Sequence, residues 1–366
     1  MAGKCTTGRC DRCERVKGPG QADAGELHLW LPAPHALVKA IQAVRRCGHD
    51  FTADEESLSL KVVVTGENTP TLLDAIGESL TGQERRDARA ILITPGVALS
   101  PKDFPRVTPF DDFSMSARSQ WLVEMLSEER ITHLFQPIVD ANDTTNIFAH
   151  EALMRGVATD GSLVSPGEML ELARASDLLF PLDLMARRSA IRNAQKQGLS
   201  GGLFINFSPA AIYDPKFCLR TTVAAIREAG FCAEDVVFEV VESERCADMD
   251  HLKTILRYYR EAGFHVALDD VGAGYSSLNM LHELQPDFVK LDMELTRNVH
   301  ADKYKAVVAS KILEIARDLG IRTVAEGVET PEELDWLQRA GATFVQGYLI
   351  GRPAERPMVQ ARSQAA

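Results

Sequence analysis

Residues 263–292 read GFHVALDDVGAGYSSLNMLHELQPDFVKLD. An apolar run, Phe264-His265-Val266-Ala267-Leu268, ends in two consecutive aspartates, Asp269 and Asp270. A glycine-punctuated loop follows, then a short amphipathic segment with Leu278, Leu281 and Leu284, then a second apolar run, Phe288-Val289-Lys290-Leu291-Asp292. Strand, loop, helix, strand in that order predicts a parallel pair joined by a crossover helix. In folds built from such units chemistry collects at the carboxyl ends of the strands, where Asp269, Asp270, Lys290 and Asp292 fall. Adjacent aspartates repel one another there unless a proton or a cation intervenes, and two hard divalent cations answer that repulsion. Taken alone, such a pair is more often a loop start or a helix cap, so the other ligands must come from the rest of the chain.

Outward from this unit the rhythm repeats. Strand candidates are His133–Val139, Phe148–Met154, Leu203–Phe207, Val236–Val241, Phe264–Leu268, Phe288–Leu291, Thr323–Ala325 and Thr343–Val345, with helical segments between most of them. One such helix runs from Tyr304 to Leu319, with Val308, Ile312, Ile315 and Leu319 at helical spacing. Glycines close several helices, at Gly230, Gly263, Gly320 and Gly341, each feeding the next strand. About eight strands over roughly 245 residues fit an α/β fold of the (β/α)8 TIM-barrel type. Only Asp140 to Ile147 separates the first two strands, so they form a hairpin and one of them runs against the others.

The segment before the barrel is of another kind. Leu27–Leu31, Leu58–Val64 and Ile91–Ile93 read as strands, and His35–Cys47 and Thr69–Leu80 as helices, the second with Pro70 at its first turn. The expected organisation is a cysteine-containing tail over 1–25, a small α/β regulatory module over 26–96, a proline-rich linker over 97–115, the barrel over 116–358 and a tail over 359–366. No catalytic constellation falls in the small module, which reads as a binding or regulatory unit with a partner or signal of its own.

Composition bounds the function. The 366 residues are 45% hydrophobic and 25% charged, an ordinary globular balance, with a formal net charge of −12. That charge argues against general nucleic-acid binding but not against a small phosphate ligand, because metal ions invert the local field. No apolar run approaches membrane-spanning length, and Met1 to Gly20 lacks a signal-peptide core, so the cytoplasm is the expected compartment. Seven cysteines are present, of which Cys218, Cys232 and Cys246 read as reduced, partly buried thiols. Cys5, Cys10 and Cys13, with Cys47 and His49 beyond, have a spacing that suits a zinc site and equally suits unliganded exposed thiols.

Polar residues recur at the ends of the barrel strands. Glu151 and Glu239 interrupt apolar runs, as does Lys290; Asn206, Glu242, Glu326 and Gln346 sit at or near strand ends. A carboxylate inside an apolar strand is costly unless paired or metal-bound. One such case is usually a satisfied core ion pair, but five strand ends behaving alike are not. An oxygen-rich ligand set selects Mg²⁺ or Mn²⁺ over zinc.

At these residues the sequence resembles the EAL-domain family, the phosphodiesterases that hydrolyse cyclic di-GMP. The signature Glu-Ala-Leu-x-Arg stands at Glu151 to Arg155. Phe135-Gln136-Pro137, Asn206-Phe207-Ser208, the Asp269-Asp270 loop ending Gly274-Tyr275-Ser276-Ser277-Leu278, Lys290-Leu291-Asp292, Ala325-Glu326-Gly327-Val328-Glu329-Thr330 and Gln346-Gly347-Tyr348 follow in order. The likeness covers about Ser116 to Pro353 and none of the first 110 residues.

The resemblance implies two Mg²⁺ or Mn²⁺ ions. Glu151, Asn206, Glu239 and Asp269 match the ligands of one; Asp269, Asp270 and Glu326 match those of the other. Glu151, Asp270, Lys290 and Glu326 match the catalytic set, with Lys290 beside the attacking water. Gln346 matches a residue holding metal-bound water. Gln136, Leu153, Arg155, Asp292 and Pro353 match substrate contacts, and Glu242 a residue bracing the loop after the aspartates. A homodimer is implied as well. Val271 replaces a frequent Phe, and Met293-Glu294 a frequent Ser-Phe, without removing a ligand. The rival reading is a catalytically silent domain that binds cyclic di-GMP, or a partner protein, and signals by shape.

Overall fold

The computed structural model describes residues 24–65, 68–241, 249–272 and 277–359. They fall into two compact units, 24–128 with 167–179, and 129–166 with 180–359. Among the described residues no helix is long and apolar enough to cross a membrane.

In the first unit, alternating apolar residues build an antiparallel sheet. Strand β1 (Ala24–Trp30) lies between β3 (Ser59–Thr65) and β4 (Arg89–Ile93), with β2 (Phe51–Asp54) and β5 (Thr108–Pro109) at the edges. The register sets Leu27 opposite Val62 and Leu29 opposite Leu60, which places these residues on one face. They form one core with Leu37 and Val44 of the helix Pro34–Arg46 and Leu72 and Ile76 of the helix Thr69–Ser79. Two elements escape a periodicity reading. Strand β2 is an edge strand whose residues are exposed or half-buried, so it shows no alternation. The helix Gly82–Asp87 is polar on all sides and is held by a capping box between Thr81 and Glu84. The stretch 97–115, expected as a linker, carries a turn of 3-10 helix at Phe104–Arg106, β5 and the helix Phe110–Ala117. Phe110 is 2% exposed and belongs to the core of this unit. Pro109 is tolerated because an edge strand does not need its missing N–H.

The second unit is a closed barrel of eight strands: β6 (Ile131–Asp140), β7 (Ile147–Val157), β9 (Gly202–Asn206), β10 (Val236–Val241), β11 (His265–Val271), β12 (Phe288–Leu291), β13 (Arg322–Ala325) and β14 (Phe344–Val345). A two-residue strand, β8 (Leu163–Val164), pairs only with β7. Strand β6 is antiparallel to both neighbours, β7 and β14, and the remaining pairs among the eight barrel strands are parallel. The fold is thus the expected barrel with its first strand reversed.

One correction concerns the helix Lys303–Asp318. Its buried line is Ala309, Ile312, Leu313 and Ala316, whereas Val308 and Leu319 are exposed. Two small alanines mark the packed face, and a count weighted by large side chains selects the neighbouring stripe. Of the single thiols, Cys218 is buried but Cys232 is exposed.

The barrel interior is layered. Ile138, Ala149, Phe204, Val237, Ala267, Phe288, Val324 and Phe344, one from each strand, form a separate apolar cluster. Phe148 stacks on Phe344 with centroids 4.0 Å apart, and Phe204 meets Phe288 edge-on at 5.2 Å. Arg322 lies over the Phe288 ring, 3.8 Å from its centroid. This layer is the floor on which the site stands.

His133, on β6, is 3% exposed, and burial, helped by Arg155, lowers its pKa to about 3. The folded chain keeps it neutral, while the unfolded chain takes up a proton below about pH 6.5. Stability is therefore expected to fall as pH drops from about 6.5 toward 3, by up to about 1.4 kcal/mol per pH unit from this residue. Urea unfolding of His133→Leu across that range checks it. The slope should flatten by one proton, and an unchanged slope would show that His133 is not the linked group.

Candidate metal centre

Side chains on a strand repeat direction every two residues. Two residues onward from each floor residue lies Glu151 on β7, Asn206 on β9, Glu239 on β10, Asp269 on β11, Lys290 on β12, Glu326 beyond β13 and Gln346 beyond β14. On the reversed strand β6 the count runs backward, from Ile138 to Gln136. The recurrent polar residues of the sequence are thus the next interior layer, contributed by all eight strands.

Lys290 is at its centre and is 1% exposed. Its Nζ lies 2.6 Å from Glu326 Oε1, 2.9 Å from Glu239 Oε1, 3.2 Å from Asp269 Oδ1 and 3.3 Å from Glu151 Oε2. Asn206 Nδ2 donates to Glu151 Oε1 at 2.9 Å. Gln346 Nε2 donates to Glu151 Oε2 at 2.8 Å and to Gln136 Oε1 at 3.0 Å. Gln136 Nε2 in turn donates to the Gly351 carbonyl at 3.2 Å.

Asp270 breaks the alternation. Its φ of 58° is left-handed, and the pairing of β11 with β12 shifts register between Leu268 and Val271. A regular strand would send consecutive side chains to opposite faces. The local irregularity instead lets Asp269, Asp270 and Glu326 each offer an oxygen within 4.8 Å of the others. Aspartate is among the few residues that tolerate this conformation. Gly347 is fixed by crowding at the same rim, since a Cβ there would meet the Val328 carbonyl oxygen at 2.1 Å.

The charges are unbalanced. Burial and the neighbouring Glu151 push the carboxyl of Glu239 well above its usual range. Burial, followed by Asp269, raises Asp270 to about 6, and burial raises Glu326 to about 8 against the pull of Lys290. Burial opposes the Lys290 ammonium, but Asp269, Glu151, Glu239 and Glu326 together hold it charged. Glu151 goes the other way: Lys290 and the amides of Gln346 and Asn206 overcome burial and lower it. Neither Oε2 of Glu239 nor Oε1 of Gln346 has a hydrogen-bond partner among the described residues, although both are buried. A carboxylate oxygen without a donor suits a cation, and an amide oxygen without a donor suits a water. Hard oxygen ligands in this number fit divalent cations of the Mg²⁺ or Mn²⁺ type.

Alternation places Leu153 and Arg155 on the same face of β7 as Glu151, farther toward the strand end. Arg155 Nη1 donates to the Met154 carbonyl at 2.7 Å. Asp292 Oδ1 accepts from the Glu294 N–H at 2.7 Å, capping the short helix Met293–Thr296, and its charge contributes to the raised pKa of Asp270. Pro353 is half-buried beside the bridge between Phe135 and Ala354. Cys47 is half-buried at the end of the helix Pro34–Arg46. Glu242, Cys5, Cys10 and Cys13 and the turn Gly274-Tyr275-Ser276 lie outside the described residues. Sequence reasoning missed Asp183 and Arg187, a buried ion pair on the helix Leu179–Lys196. Their i,i+4 spacing was the available signal, but on a helix it reads as a surface pair.

Comparison with known proteins identifies the family. The EAL-domain model matches residues 119–353. The probable cyclic di-GMP phosphodiesterase PdeG of Escherichia coli is 34% identical over 249 residues, covering 66% of this chain and 48% of that protein. The cyclic di-GMP phosphodiesterase NbdA of Pseudomonas aeruginosa is 31% identical over 235 residues, covering 63% and 30%. The chain thus spans about half or less of the length of these curated relatives. Among solved structures, a standalone EAL protein of Vibrio cholerae in its c-di-GMP-bound form is 41% identical, with a TM-score of 0.56 over 61% of this chain and 92% of that one. BlrP1 of Klebsiella pneumoniae, in a manganese and cyclic di-GMP complex, is 25% identical with a TM-score of 0.56, over 90% of this chain and 96% of that one. This chain belongs to the EAL-domain, cyclic di-GMP phosphodiesterase family.

Proposed function

We propose that the barrel hydrolyses cyclic di-GMP to linear 5′-pGpG with two Mg²⁺ or Mn²⁺ ions held by Glu151, Asn206, Glu239, Asp269, Asp270 and Glu326. The observation that carries this reading is the charge of the polar layer. Four carboxylates pair with the ammonium of Lys290 and Asp270 adds a fifth beside Asp269 and Glu326; with all five ionised, two divalent cations match the four negative charges left over. When bound, the ions supply Lewis acidity toward water and the scissile phosphate. Lys290 stands beside the attacking water and offsets charge as phosphorus is attacked in line with the departing ribose 3′ oxygen. Asn206 and Gln346 hold both oxygens of Glu151 at a fixed angle. The planar fork of Arg155 suits a phosphodiester oxygen pair, with Leu153 on the same strand face beneath it. Gln136, Asp292 and Pro353 complete the substrate contacts, and Glu242 braces the loop after the aspartates. The N-terminal module regulates turnover in a cytoplasmic homodimer.

Hydrolysis of cyclic di-GMP by the purified chain with Mn²⁺ or Mg²⁺, beside Glu151→Ala, tests this. Wild type should yield pGpG, and the variant should lose more than the roughly 10–100-fold typical of a residue merely supporting a metal ligand. Tight binding without turnover in either metal would instead make the protein a receptor. The charge argument has a separate check. Lys290→Met leaves four carboxylates, three of them buried, without their shared cation, and in EDTA it should cost about 3–5 kcal/mol of stability. Mn²⁺ should then return more stability to the variant than to wild type in urea unfolding. Equal stability of the two chains in EDTA would show that the carboxylates do not depend on the ammonium.

A further inference from the structure

Asp183 and Arg187 lie outside the polar layer, and the proposed chemistry gives them no part. Both are buried, Arg187 to 1% exposure. Arg187 Nε donates to Asp183 Oδ2 at 2.9 Å, and its Nη2 lies 2.7 Å from the same oxygen. Arg187 Nη1 donates to the hydroxyl of Thr222, on the helix Arg220–Glu228. The guanidinium therefore joins two helices and holds one oxygen of Asp183 in a fixed direction. The other oxygen, Oδ1, accepts the backbone N–H of Ser208 at 2.8 Å.

Ser208 is two residues beyond Asn206, where the chain has just left β9. The intervening N–H, of Phe207, donates to the carbonyl of Glu239 at 3.2 Å. The two amides that follow Asn206 are thus tied on one side to the backbone of a ligand-bearing strand and on the other to Asp183. Residue 209 is proline and adds no donor of its own. Asn206 has an exacting task on the metal reading, because its Nδ2 holds Glu151 Oε1 while its amide oxygen would serve a cation. A buried ion pair is weak evidence of stabilisation, since apolar residues of similar volume often serve as well. Its geometry here suits orientation: a charged acceptor grips one backbone amide, and a rigid fork prevents that acceptor from turning.

We propose that Asp183, locked in place by Arg187, is a positioning residue that sets the angle of Asn206, and through it Glu151, toward a divalent cation. The proposal rests on the metal reading above, not on turnover. Its test is titration of the full chain with Mn²⁺ alone, read by isothermal calorimetry and by the electron paramagnetic resonance signal of free Mn²⁺, far below the melting temperature. Asp183→Asn should keep the wild-type circular dichroism spectrum and bind Mn²⁺ about 10–100-fold more weakly. Arg187→Lys, which keeps a cation beside Asp183 but lacks the rigid fork, should bind Mn²⁺ more weakly than wild type, though less so than Asp183→Asn does. Should Asp183→Asn not fold, Asp183→Glu carries the test, since it keeps the charge but displaces the carboxylate by one methylene; a several-fold loss of Mn²⁺ affinity is expected. A folded variant that binds Mn²⁺ as wild type does, whatever its melting temperature, overturns the proposal and assigns the pair to the fold alone. Wild type that binds no Mn²⁺ overturns it together with the metal reading. Wild type that binds Mn²⁺ without hydrolysing cyclic di-GMP, with weakened binding in the variants, sustains the proposal while the hydrolytic reading falls.

Discussion

One buried ammonium stands against four carboxylates, and the architecture of the barrel is what brings them to it. Lys290 could not remain charged at 1% exposure without Glu151, Glu239, Asp269 and Glu326 within ion-pairing distance. Those carboxylates, in turn, face inward only because each lies two residues beyond an apolar residue of the floor. A slip of one residue in any strand would exchange a ligand for a core side chain. The aromatic floor therefore does more than fill space, since Phe204, Phe288 and Phe344 fix the height at which the polar layer begins.

The same two-residue period explains why so much of the centre was legible in the sequence. Charged residues inside otherwise apolar runs are rare, and here Glu151, Glu239 and Lys290 each mark an inward position. The reversed direction of β6 was legible from the shortness of Asp140 to Ile147, which leaves no room for a crossover helix. What escaped the sequence had weaker local signals. Strand β2 gains its place from a neighbour and not from its own alternation. The buried line of Lys303–Asp318 is marked by alanines, which a hydrophobic pattern underweights. The left-handed Asp270 could not be foreseen either, because its conformation comes from the register shift between β11 and β12.

Long-range polar networks were the least visible class. Asp183 and Arg187 look like any surface pair on a helix, and only the packing of Leu179–Lys196 makes them buried. Ser208 and Thr222 carry no signal that they are their partners. The acceptor role of Asp183 depends on where a backbone amide arrives after a strand ends, which no local pattern encodes. The N-terminal unit is a different case. Its sheet was readable from alternation, and its core is an apolar cluster beside which the described residues hold only scattered buried polar groups, such as His28 and Glu84.

The stacked rings at the base of the barrel have a further consequence. With Phe148 lying flat on Phe344 and Phe204 set against Phe288, the enclosure is a cup and not a tube. Whatever reaches the carboxylates must depart by the opening through which it came. Arrival and departure then share one doorway and cannot overlap in time.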